Sequence, residues 1–205
     1  MRDELGILSE VAHIAAGHGS TALSDFLGKR VILNPPHTDV ISPERFPQSL
    51  NKSMVAITIF SRLRSGLKGE VLFILDEKNA FRIIGLSSMV ENGQKNELPI
   101  LTEMGLSIIK EIGNIIIGSY LTALSITLER MIVPPLATLI SGSMEYIMDF
   151  IFSPYTGQCD RYFIETFLEI PEEKITGQLC LILSPDAFND IKEICMGILG
   201  YSSER

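Results

Sequence analysis

Residues 107–124 read SIIKEIGNIIIGSYLTAL, and residues 6–23 read GILSEVAHIAAGHGSTAL. The two stretches share one skeleton. A shift of 101 positions brings Glu10 onto Glu111, Gly17 onto Gly118, and Thr21-Ala22-Leu23-Ser24 onto Thr122-Ala123-Leu124-Ser125. Each copy runs on to a double proline, Pro35-Pro36 and Pro134-Pro135. Farther along, the stretch Gly69-Glu70-Val71-Leu72-Phe73 resembles Gly177-Gln178-Leu179-Cys180-Leu181. Agreement at both ends of each half makes the chain a duplication. Units of about 100 residues exceed the length of solenoid repeats, so two fused halves related by a pseudo-two-fold axis are expected.

Both halves read in the same order. A long helix is predicted over residues 3–27 and again over 103–128. A short strand follows, 31–33 and 131–133, stopped by the prolines. Next come a shorter helix, 43–50 and 143–152, and a two-stranded hairpin. The hairpins are expected over 54–63 with 69–75 and over 161–170 with 175–183, where β-branched and aromatic residues concentrate between Gly and Pro. A helix closes each half, 80–90 and 187–199, the second opened by Ser184-Pro185-Asp186. The polar run at 91–96 is the expected linker. This makes an α+β fold: one domain of two repeats, about 1–96 and 97–205, with a six-stranded, largely antiparallel sheet and two long helices.

The chain has 205 residues, 46% of them apolar, with 17 Lys and Arg against 25 Asp and Glu, for a net charge of −8. That content can bury a real core, and an acidic chain without a basic block is a poor binder of nucleic acid or anionic membrane. No apolar run reaches the roughly 18 residues of a membrane span, and the N-terminus has no signal-peptide pattern. Cys159, Cys180 and Cys195 form no CxxC and no paired framework, which favours a reduced, cytoplasmic setting with cysteines as small core residues.

At about 100° per residue, Ser107, Glu111, Asn114 and Gly118 fall on one narrow helical face, opposite a wall containing Ile109, Ile112 and Ile116. The wall should enter the core and the polar stripe should face outward, with Gly118 leaving a shallow floor. A solvated helix face is the common meaning of such a stripe. Against it, Asn is a mediocre helix former in mid-helix without a capping task, and the glutamate recurs in the other copy at the same phase. Chemically, an amide donates to and accepts from one water and so orients a nucleophile without taking a proton. A nearby carboxylate can pair with a partner's cation. The pair suits water positioning rather than covalent chemistry. The histidines offer no metal set, since His13 and His18 lie on different faces and no HExxH pattern is present. The glycines of Gly17-His18-Gly19-Ser20 read as close-packing positions between the long helices.

The run from Glu111 to Ser125 closely resembles the signature of the CheC/CheX/FliY phosphatases of chemotaxis: Asp or Ser, three residues, Glu, two residues, Asn, then a proline about 22 residues on. Ser107, Glu111 and Asn114 match in type and spacing. Pro134 and Pro135 fall slightly short, with 19 and 20 residues intervening, and Pro135 takes the supporting position. Length, duplication and element order are most similar to CheC. The resemblance implies dephosphorylation of a CheY-type response regulator, with the glutamate pairing with a regulator lysine and the asparagine holding the attacking water. It implies no cofactor of the chain's own, Mg²⁺ being carried by the regulator, and it admits the deamidase CheD as a second partner. The first copy departs from the signature: Glu10 is kept, but Gly6 stands for Asp or Ser and His13 for Asn. That second site is therefore expected to be degenerate, inactive or weak in catalysis, although it can still bind. The alternative is a non-catalytic adaptor for phospho-CheY or CheD. Duplication within one chain makes a monomer sufficient.

Overall fold

The structure is a computed structural model, and it describes residues 2–42, 46–91, 102–133, 136–155 and 159–198. The elements in order are α1 (Arg2–Leu27), β1 (Ile32–Leu33), β2 (His37–Ile41), β3 (Val55–Leu63), β4 (Gly69–Asp76), α2 (Glu77–Glu91), α3 (Glu103–Thr127), β5 (Thr138–Ser143), α4 (Met144–Phe152), β6 (Arg161–Ile170), β7 (Ile175–Leu183) and α5 (Pro185–Ile198).

The strands form one antiparallel sheet in the order β1-β6-β7-β4-β3-β5, with β2 also on β6. This order records the duplication directly. The two hairpins, β3–β4 and β6–β7, meet through β4 and β7 at the centre. Each half then lends what remains to the hairpin of the other: β1 and β2 pair with β6, and β5 pairs with β3. The same 101-residue shift that aligns the long helices carries His37–Ile41 onto the start of Thr138–Ser143.

One sheet face carries α1 and α3 packed against each other, flanked by α5 on α1 and α2 on α3. The core beneath them joins Leu8, Ala15 and Leu23 of α1 with Ile109, Ile116 and Leu124 of α3 and with Ile59, Phe73 and Leu181 of the sheet. The opposite face is covered by α4, whose Ile147, Met148 and Ile151 pack with Leu72, Phe163 and Ile182. Local signals fix the helix starts. Thr102 caps α3 by accepting from the Gly105 N–H at 3.1 Å, and Ser143 caps α4 by accepting from the Tyr146 N–H at 3.3 Å. Ser184 does the same for α5, accepting from Ala187 at 3.1 Å, with Pro185 in the first turn, where its missing N–H costs nothing.

Paired serines tie each long helix to the chain that leaves it. Ser24 Oγ accepts from the Val31 N–H at 2.9 Å, and Ser125 Oγ accepts from the Ile132 N–H at 2.9 Å. Both pairs obey the 101-residue shift.

Several expectations are corrected. The sheet has seven strands rather than six. Residues 131–133 are not a strand; the second half's edge strand is β5, beyond the prolines. The first half contributes two short strands, β1 and β2, where one was expected. Edge strands are half exposed, so their sequences, His-Thr-Asp-Val-Ile and Thr-Leu-Ile-Ser-Gly-Ser, lack the apolar density that marks a central strand. No helix occupies 46–50, which forms a turn, while 43–45 lie outside the described residues. The linker beyond Glu91 and the double proline Pro134-Pro135 also lie outside them. Cys180 and Cys195 are buried, but Cys159 is exposed and is not a core residue. Among the described residues, no helix is long and apolar enough to cross a membrane.

Candidate functional site

Helix α3 is built to hold its stripe still. Ile109 and Ile116 are fully buried, whereas Ser107 and Glu111 are exposed and Asn114 is half-buried. Gly113 sits on the buried side, where a Cβ would come within 2.5 Å of the Ile59 Cγ1 atom. The glycine therefore lets α3 lie directly on β3. Tyr120, also on the buried side, has its phenol pushed up to about 12 by burial, so it stays neutral and takes no part in proton transfer at the surface.

On the outer side, Glu111 and Asn114 are one turn apart, with Cβ atoms about 5–6 Å from each other for this spacing. Ser107 Oγ donates to the Glu103 carbonyl at 2.9 Å, so its hydrogen is engaged within the helix and its lone pairs face outward. One turn past Asn114, a Cβ on Gly118 would meet nothing within 4 Å. The shallow floor expected from the sequence is open space. Pro135, the fourth expected position, lies outside the described residues.

Helix α1 presents the matching stripe. Gly6, Glu10, His13 and Gly17 are all exposed, and Val11, Ala12, Ala15 and Ala16 are buried behind them. Of the glycines read as packing positions, only Gly19 acts so: a Cβ there would lie 3.0 Å from Leu33 Cδ1 and 3.9 Å from the Ala123 Cβ, whereas Gly17 faces open space.

The two stripes lie toward opposite ends of the helix pair. Lys29, just past α1, bonds Glu173 at the β6–β7 turn at 2.7 Å. Met131, just past α3, lies against Gly66 at the β3–β4 turn. Those turns are at opposite ends of the sheet, because Gly69 pairs with Leu183 and Ile74 with Gln178. The helices are therefore antiparallel, crossing where Gly19 meets Tyr120 and Ala123. Asn114 and His13 each precede that crossing by some six residues, so they are separated by about 18 Å along the pair.

Over the crossing runs an open groove of about 360 Å³ that includes Ile115, Gly118, Thr122 and Ile126 of α3 with His18 and Ala22 of α1. The groove did not emerge from single-helix periodicity, because it needs both helices. Its only sequence signal was the absence of a side chain at Gly118.

Residues 104–132, which contain the whole outward stripe from Ser107 to Gly118 except its flanking proline, match the model of the CheC-like family. The chain is 30% identical over 126 residues to the CheY-P phosphatase CheC of Bacillus subtilis, an alignment covering 60% of this chain and 59% of that protein. It is 29% identical over 146 residues to the flagellar motor switch phosphatase FliY of the same organism, covering 70% of this chain and 37% of FliY. This chain thus spans less than two thirds of either curated relative. The crystal structure of Thermotoga maritima FliY shares its fold, with a TM-score of 0.69 at 21% identity over 95% of this chain and 96% of that one.

Among the described residues, no group of three or more His, Cys, Asp or Glu side chains is placed to hold a metal ion. What the site offers a partner is a carboxylate, an amide and a cleared surface beyond them.

Proposed function

We propose that this CheC-like protein accelerates hydrolysis of the aspartyl phosphate of a CheY-type response regulator. The observation that carries the reading is the outward pair Glu111 and Asn114, fixed on a helix whose other side is buried, inside the segment that matches the family. In this reading Glu111 pairs with a cation beside the regulator's phosphorylated aspartate. The Asn114 amide accepts from and donates to one water and holds it in line with the phosphorus. Water attacks, the bond between phosphorus and the aspartate oxygen breaks, and inorganic phosphate and a free carboxylate leave. Mg²⁺ held by the regulator would offset the charge on the phosphoryl oxygens. This chain contributes only position, which is most of what phosphoryl transfer requires.

The test is decay of a phosphorylated CheY-type regulator with and without the protein. Asn114→Ala should lower the acceleration by about 10²-fold, while His13→Ala should leave it unchanged. Full activity in Asn114→Ala would sink the assignment.

A second reading, an adaptor that binds the phosphorylated regulator or a CheD-type deamidase without catalysis, draws support from α1. There Glu10 is exposed and kept while the amide is replaced by His13. Tight binding without faster decay would favour it.

A further inference from the structure

We propose that the cavity bounded by Met54, Phe167 and Gln178 is a binding site for a small single-ring aromatic molecule carrying a hydroxyl or amino donor, a phenol being the simplest member. The cavity has no part in the phosphatase reading. It lies on the sheet face covered by α4, away from α1 and α3: Ile74 packs there with α4, and Gln178 and Phe167 follow it in register across the strands.

The chain itself holds the template. The two hairpins align through Glu70 with Gln178 and, by register, through Arg62 with Phe167. At the first of these places the seat is filled. Tyr155, in the turn after α4, lies against two guanidinium groups, with Arg161 3.8 Å and Arg62 5.6 Å from its ring centre. Its hydroxyl donates to Glu70 Oε1. The shift that aligns the long helices carries Tyr155 onto Met54, and the hairpin register carries Arg161 onto Ala56. At the second place, a thioether stands for the phenol and a methyl group for a guanidinium.

The smaller side chains leave a cavity of about 120 Å³. An apolar cavity of about 150 Å³ takes one benzene, so this space suits a single ring. Met54, Ile74 and Phe167 give it apolar walls against which a ring can pack. Gln178 also lines it, at the position of the Glu70 acceptor, and the Gln178 Oε1 is buried without a hydrogen-bond partner. A buried acceptor left unpaired is costly. A donor on the ring would relieve that cost, as the Tyr155 hydroxyl does at Glu70.

Asp76 sets the charge preference. Its Oδ1 accepts from the Asn79 N–H at 2.7 Å and from Asn79 Nδ2 at 2.8 Å, and its side chain belongs to the cavity wall. Among the described residues, no Lys, Arg or His lines the cavity. A neutral or cationic ring is therefore favoured over one bearing a carboxylate or phosphate.

The probe is p-cresol, the tyrosine side chain as a free molecule. It is titrated into the full chain and followed by NMR at the Met54 methyl group and the Gln178 side-chain amide, with thermal melts confirming the fold of each variant. No regulator is present, so the outcome is separate from that of the phosphatase test. p-Cresol should bind with a Kd of about 1 mM. Toluene, which lacks the donor, and benzoate, which adds a negative charge, should each bind about tenfold more weakly. Met54→Tyr, which installs the first seat's plug, should abolish p-cresol binding. Gln178→Leu should weaken p-cresol to the level of toluene. Tyr155→Ala should open the first seat, so that p-cresol raises its melting temperature more than that of the wild type. No shift at Met54 or Gln178 up to about 10 mM p-cresol would overturn the proposal. So would equal affinity for toluene and p-cresol, or undiminished p-cresol binding in a folded Met54→Tyr. If Met54→Tyr does not fold, Gln178→Leu decides: wild-type affinity there overturns the site, and a tenfold loss supports it.

Discussion

Helices α1 and α3 are the same element used twice, and they differ in kind chiefly on one side. Inward, they agree in character though not in every residue: each is apolar, each has near its end a serine that accepts from the chain seven residues on, and each lies on the hairpin core. Outward, α3 carries serine, glutamate, asparagine and glycine, and α1 carries glycine, glutamate, histidine and glycine. Packing constrains the inner side, because loss of a buried methyl group or a cap costs stability in either copy. The outer side answers only to what binds there. The difference between the helices therefore isolates a functional contribution from a structural one, and substitutions can probe each separately.

The largest expected effect is on the outer side: loss of about two orders of magnitude in phospho-regulator decay for Asn114→Ala against none for His13→Ala. Next is an inner position where the copies themselves differ. Gly113 aligns with Ala12, which is fully buried yet accommodates its methyl group. Gly113→Ala would press a Cβ onto Ile59 and should destabilise by about 1–3 kcal/mol in urea unfolding. A neutral result would show that α3 can lift from β3 without cost. The serine ties should sharpen the agreement between copies: Ser24→Ala and Ser125→Ala should each cost about 1 kcal/mol, and unequal losses would show that the repeat has drifted inside as well as outside. Converting α1 toward α3 with Gly6→Ser and His13→Asn should at most double activity, since it adds one site to the one proposed on α3. A gain approaching twofold would show that the amide alone suffices.

A subtler asymmetry separates the two hairpins on the far sheet face. Glu70 aligns with Gln178. Burial raises the Glu70 carboxyl above its usual range, against the hydrogen bond from Tyr155 and the charges of Arg62 and Arg161. Between the unfolded value near 4.5 and the raised native one, the folded protein binds more proton than the unfolded chain. The Glu70 contribution to stability should therefore fall as pH rises through that window. Glu70→Gln, which makes the hairpins alike, should flatten that part of a stability-against-pH curve. An unchanged slope would show that the arginines already compensate the buried charge.

Much of this was legible because the chain repeats itself. The long helices, both hairpins and the outward stripe follow from periodicity and from the recurrence of Glu10 at Glu111. The central strands are apolar on both faces, so composition marks them. The edge strands β2 and β5 were not legible: each is half exposed and polar, and the double proline looked like an end rather than a connection. The apolar run at 131–133 was misleading for the opposite reason, since Met131 and Val133 are largely exposed and no strand forms there. The stripe's geometry could be derived from spacing, but the role proposed for it rests on family resemblance, because Glu and Asn one turn apart also describe an ordinary wet helix face. The groove needed the crossing of α1 and α3, which no single stretch encodes.

The exchange of β2 and β5 between the halves has a consequence for how the molecule can move. Each half is clasped by strands of the other, so the halves cannot open about the line between them without tearing the pairings of β1, β2 and β5 as well as the central seam of β4 and β7. Glu10 and Glu111 are thus carried by two helices that rest on one shared sheet. Swinging one face away from the other would break main-chain hydrogen bonds of the sheet, whereas a changed side chain on α1 leaves them whole, so sequence drift is the less costly way to make the two faces differ.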